Sequence, residues 1–196
     1  NVFLQQSVPV KGQADGLVYG VPYLSPYNVD SILNPILVHA NAVGYLFNMY
    51  RGKPLVREGG VLIIMHPLEN RFHRVHHPSY IDFYHQVLTK TRDPVEIEQR
   101  YEEEFATNPK YIDMYRNSYA YHGVHPFYMW YWACYAQSYL GRIIVVGARD
   151  KEVADTLGYE TAASLESALE MAEDTVGASP NVTALHTPPI FLCDVE

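Results

Sequence analysis

Histidines 66, 73, 76, 77, 85, 122 and 125 are seven of the nine in this chain, and they fall in two clusters. Imidazole titrates nearest neutrality of all side chains, so such a concentration points to proton transfer, metal binding or anion binding. In Arg71-Phe-His-Arg-Val-His-His-Pro78, His73 and His76 stand three residues apart. On a helix or tight turn both rings face one point. His73, His76 and His77 are therefore candidate metal ligands, with His85 or Glu69 completing the shell. No His-Glu-x-x-His pattern supports them, and Pro78 places the next helix start after the segment. The competing readings are packing within an ordered loop and contact with a ligand or partner.

Tyr121-His-Gly-Val-His-Pro126 repeats the three-residue spacing in His122 and His125. His125 could stand in for a helix N-cap, and the helix start would attract a carboxylate. The plainer reading is a turn joining two helices. Gly147-Ala-Arg-Asp150 lies between a strand-like and a helix-like stretch and could hold a phosphate or carboxylate. The three-glycine dinucleotide fingerprint is absent, which counts against nucleotide binding. Neither a hydrolase nucleophile elbow nor a thiol-protease context occurs.

The elements that must position these residues alternate. Asp15 to Pro22 reads as a short buried strand and turn. A helix follows over about 31–50, capped by Asp30 or Ser31, with Pro35 in its first turn. Val61 to Met65 is a second buried strand, and the first histidine cluster sits in the loop after it, where α/β proteins build sites. Helices are expected over 79–88, 94–106, 108–120 and 125–140. The last is strongly aromatic, with Phe127, Tyr128, Trp130, Tyr131, Trp132, Tyr135 and Tyr139, and Gly141 ends it. Arg142 to Ala148 is the clearest strand, helices follow at 151–157 and 164–176, and Val182 to Leu185 reads as a last strand. Alternation of this kind implies an α/β fold with a mainly parallel sheet, flanking helices and a long helical, His/Tyr-rich insertion over about 67–141.

Bulk composition narrows the class. The 196 residues suffice for one α/β domain with a real core. A net charge of −8 without a basic stripe argues against a nucleic-acid footprint. The acidic stretches 96–104 and 166–174 read as solvated helix faces. Seventeen tyrosines imply partly buried surfaces, as in clefts or interfaces, which leaves room for a homo-oligomer. Two cysteines, Cys134 and Cys193, are too few for a disulfide framework. No signal peptide or membrane-spanning stretch is visible, so a cytoplasmic protein is expected. The chain begins at Asn1 without methionine and soon enters a strand-like run, as a piece of a longer protein would.

The order of motifs resembles the C-terminal half of lactate-racemase-like (LarA-like) proteins. Gly20-Val-Pro22, Tyr27-Asn28, Asn34, Gly59-Gly60-Val-Leu-Ile-Ile64 and Arg142-Ile-Ile-Val-Val-Gly147 carry the resemblance, in order, over nearly the whole chain. The resemblance implies a two-domain racemase or epimerase of 2-hydroxy acids using a nickel pincer nucleotide. In the family the nickel ligand, the tethering lysine and the two proton-shuttling histidines lie in an N-terminal domain outside this chain. That domain would be this chain's partner. The C-terminal domain closes over the small-molecule substrate with a Gln-x-x-Lys pair. Asn34 and Leu37 fall at those two places, and Leu37 supplies no charge, which counts against lactate as the substrate. On this reading Asn34, His66, Glu69, His122 and His125 line the closing surface. Two other classes stand beside it: a non-catalytic binding or assembly module using the aromatic helix, and a zinc-dependent enzyme built on His73, His76 and His77.

Overall fold

The computed structural model describes residues 5–23, 25–30, 32–186 and 192–196. Ala14–Gly20 (β2) and Val56–Met65 (β4) carry the buried apolar runs Leu17–Tyr19 and Val61–Ile64, as strands covered on both faces must. They pair in parallel, Leu17 beside Leu62 and Tyr19 beside Ile64. Arg142–Val146 (β5) pairs with β4, and the short Glu160–Ala162 (β6) with β5. Val182–Leu185 (β7) lies on the far side of β2. The result is a five-stranded parallel sheet of order β6-β5-β4-β2-β7, as the alternating pattern implied. A second parallel sheet was not foreseen. It joins Ser7–Val10 (β1), Leu192–Val195 (β8) and Tyr50–Gly52 (β3) in the order β1-β8-β3.

Side chains alternate across the large sheet. Val18, Val61, Ile63, Ile144 and Val146 meet Ala168 and Ala172 of the helix Leu165–Val176 (α7). Leu17, Tyr19, Leu62, Ile64, Ile143 and Val145 face the opposite layer. That layer begins with Pro35–His39 (α1), which continues as wider π-helical turns over Ala40–Leu46. The expected helix over 31–50 is thus shorter, and its cap is Asn34, whose side chain accepts from the Leu37 N–H at 3.0 Å. Asp30 has φ 53° and precedes the cap, and Ser31 lies outside the described residues.

The insertion between β4 and β5 supplies the rest of this layer. Pro78–Phe83 (α2) runs on as π-type turns over Tyr84–Leu88. Pro94–Ile97, Glu98–Glu102 and Glu103–Thr107 form one continuous helical stretch (α3), capped by Asp93. Pro109–Asn117 (α4) is capped by Asn108. The aromatic helix His125–Tyr139 (α5) buries Phe127, Trp130, Ala133 and Ala136 and leaves Tyr128, Trp132 and Tyr135 about half exposed. Lys151–Leu157 (α6) completes the layer, and Ser164 caps α7, its side chain accepting from the Ser167 N–H. Gly141 follows α5 for a reason other than the expected left-handed cap. Its φ is not positive, and a side chain there would strike the Gly59 carbonyl, which the chain crosses as Gly141 N–H donates to Gly60 O.

Among the described residues no helix is long and apolar enough to cross a membrane. Cys134 and Cys193 are both free thiols, and Cys193 is buried.

Candidate functional site

Strand β4 is central in the large sheet, and its C-terminal end delivers His66 to the rim. The His66 N–H donates to Val146 O of β5 at 3.2 Å, and Val21 N–H, just past β2, donates to Met65 O at 3.2 Å. These bonds hold the loops after three neighbouring strands together at the carboxyl edge. The chain steps from β2 through β4 and β5 to β6, then crosses to β7, so the order reverses beside β2. That reversal falls between β2 and β7, whereas His66 lies at the end of β4 on the other side of β2. The loops beyond the carboxyl ends of parallel strands are still the usual ground for ligand sites.

His66 is 5% exposed, and neither ring nitrogen has a hydrogen-bond partner among the described residues. Burial pushes its pKa down to about 4, against a smaller opposing pull from Glu69. The ring is therefore neutral near pH 7, with one donor and one acceptor. Tyr23 lies over it, ring centroids 5.3 Å apart. A crevice lined by Tyr23, Ile32, Leu33, His66, Pro67, Glu69 and Arg71 opens at this point. Arg149, from the Gly-Ala-Arg-Asp segment after β5, pairs with the Glu69 carboxylate.

His73, His76 and His77 form a second group further along the same loop. His77 N–H donates to His73 O at 2.9 Å, so residues 73–77 make a tight turn and α2 starts at Pro78, as the proline required. His77 is fully buried with both nitrogens engaged. Its Nε2–H donates to Tyr27 O at 2.9 Å, which leaves Nδ1 to accept from the Asn34 amide at 3.4 Å. Burial holds its pKa near 4, although the Tyr27 bond pulls the other way. Its ring stacks on Tyr121 at 5.5 Å. His73 Nδ1 accepts from the His76 backbone N–H at 3.1 Å, and its Nε2 faces Asp30 at 3.4 Å. His76 Nδ1 lies 2.7 Å from Tyr119 O, to which it donates.

His125 joins this group. It is the first residue of α5 and not its cap, a place taken by Val124 without a side-chain bond. Its Nδ1 is 2.5 Å from the Tyr80 hydroxyl, and its ring stacks on Tyr121 at 4.6 Å. Desolvation lowers its pKa to about 4. His122 points elsewhere, edge-on to Tyr115, with Nδ1 accepting from Val124 N–H at 3.4 Å. Gly123 between them is held against the Phe105 carbonyl, where a side chain would clash.

The structure thus separates the sequence candidates. His66 and Glu69 share the crevice. Asn34 is fully buried, with its oxygen on the α1 cap and its amide nitrogen on His77, and Leu37 is core. His73, His76 and His77 share one turn. A metal needs a bare lone pair from each ligand. Two His77 nitrogens and the His73 Nδ1 are already engaged, and among the described residues no group of three or more His, Cys, Asp or Glu is placed to hold a metal. Residues that pattern reading missed are Tyr23, Tyr27, Tyr80 and Tyr121. A tyrosine excess was visible, but nothing local assigned these four to histidines.

No family model matches the chain, and no curated protein matches it. Among solved structures it is similar to the lactate racemase apoprotein from Thermoanaerobacterium thermosaccharolyticum. The TM-score is 0.52 at 14% identity, over 97% of this chain and 37% of that one. That likeness is one of fold, and this chain spans little more than a third of the racemase's length.

Proposed function

We propose that this chain is the substrate-closing domain of a lactate-racemase-like isomerase acting on a 2-hydroxy acid, its cofactor carried by an N-terminal domain of the same cytoplasmic protein. The observation that carries the reading is the fold likeness over 97% of the chain. The chemistry at the carboxyl rim of the sheet agrees with it. His66, Glu69, Arg71 and Arg149 gather where ligand crevices form, and Arg71 and Arg149 bring positive charge to an otherwise acidic protein. A nickel nucleotide would supply the redox step when bound in the other domain. The work assigned to this chain is to bind, orient and shield the acid.

The test is a racemisation screen on the full-length protein loaded with the nickel cofactor, against a panel of 2-hydroxy acids. Interconversion of the enantiomers of at least one acid is expected. A reading frame without a cofactor-binding domain, or a loaded enzyme inert on the whole panel, overturns the proposal.

A second reading, a non-catalytic assembly module, is favoured by one observation. Tyr128, Trp132 and Tyr135 are about half exposed along one stripe of α5. Light scattering discriminates: a monomer at high concentration sinks self-assembly through that stripe.

A further inference from the structure

A buried imidazole without any hydrogen-bond partner is costly, on the order of 1–3 kcal/mol for each unmet polar group. His66 carries two such atoms. His73, His76 and His77 in the same loop each have at least one partner, and among the described residues His66 is the one buried histidine with neither ring nitrogen bonded. The space beside His66 is about 20 Å³, room for one oxygen atom and no more. Tyr23, half exposed, covers it on one side. On the crevice lining, Glu69 is already paired with Arg149, which leaves Arg71 as the lining cation without a carboxylate among the described residues.

We propose that His66 is the specificity-determining residue of a hydroxy-carboxylate site, taking the ligand's hydroxyl into its crevice while Arg71 holds the carboxylate. The match is one of donors and acceptors. A neutral imidazole offers one N–H and one bare nitrogen, and a hydroxyl is the ligand group that uses a single oxygen as donor or acceptor. A bare carboxylate can only accept. A phosphate group is too large for a one-oxygen crevice. Arg71, on the loop five residues beyond His66, lines the same crevice, and the rest of a small acid would lie outside the one-oxygen space. The inference rests on the reading of the chain as a hydroxy-acid domain, but its test does not require turnover.

The experiment is calorimetric binding to the full-length protein without cofactor, using glycolate, acetate and inorganic phosphate as probes. Glycolate is expected to bind about tenfold or more tightly than acetate, the weight of one well-made hydrogen bond. The His66→Phe variant fills the ring volume without polar atoms, and in it the glycolate-to-acetate ratio should fall to about one. His66→Gln, which keeps a donor and an acceptor, should restore part of the preference. A wild-type ratio near one, an unchanged ratio in His66→Phe, or phosphate binding more tightly than glycolate overturns the proposal. Should His66→Phe fail to fold, the wild-type ratio and the Gln variant still decide. Hydroxyl discrimination without racemisation in the loaded enzyme removes the isomerase reading and leaves the site, and racemisation without discrimination does the reverse.

Discussion

His66 and His77 are two buried histidines in one loop, eleven positions apart, and they differ in a single respect. His77 is tied at both nitrogens, to Tyr27 O and the Asn34 amide, and wrapped by Tyr80 and Tyr121. His66 is nearly as buried and tied at neither. Burial is the main cause that lowers both pKa values to about 4, so titration does not tell them apart. Hydrogen bonding does. A satisfied buried imidazole fixes the loop after β2 to the loop after β4, whereas an unsatisfied one is poised for something that arrives later.

The largest effect expected from this contrast is on stability at His77. His77→Ala removes a ring from a packed aromatic cluster and strands Tyr27 O and the Asn34 amide. A loss of about 3–4 kcal/mol is expected in denaturant unfolding. A loss below about 1 kcal/mol would mean that the turn is not a keystone.

Acid titration comes next. His39, His66, His77 and His125 all have folded pKa values pushed by burial below the usual 6.5, to about 3 for His39 and about 4 for the others. A depressed histidine binds fewer protons folded than unfolded between those values. Its stability is fully present above pH 6.5 and is lost as pH falls toward 4. For the fully buried His77 this is on the order of 3 kcal/mol. Thermal unfolding should therefore weaken steeply from pH 6.5 to 4, and His66→Phe should remove one histidine's share of that slope. A flat profile through the window refutes the buried neutral assignments.

The smallest effect is expected from His66→Phe at pH 7.5. Removing two unmet polar atoms offsets any packing strain, so stability should change by less than about 1 kcal/mol and can rise. A loss matching that of His77→Ala would erase the distinction and show that His66 serves the fold.

Much of the architecture was legible because its signals are local. Apolar runs such as Val61 to Met65 mark strands buried on both faces, and Asp93 before Pro94 or Ser164 before an acidic turn marks a helix start. The small sheet was not legible. Its strands are three or four residues long and unpatterned, and β1 pairs with β8 from the opposite end of the chain. The cap of α1 was misplaced because a proline in the first turn fits more than one start, and the Asn34–Leu37 contact settles it.

The candidate site divides along the same line. The sequence by itself determined that histidines gather after the second buried strand and before the aromatic helix, and that Arg149 follows a strand. Only the tertiary structure decided which of them are committed. Asn34 reaches His77 across 43 positions, Tyr80 reaches His125 across 45, and Arg149 reaches Glu69 across 80. A buried polar atom takes whichever partner the packed chain brings within hydrogen-bond distance, and that choice is made by the sheet order and the helices that cover it, not by spacing along the chain.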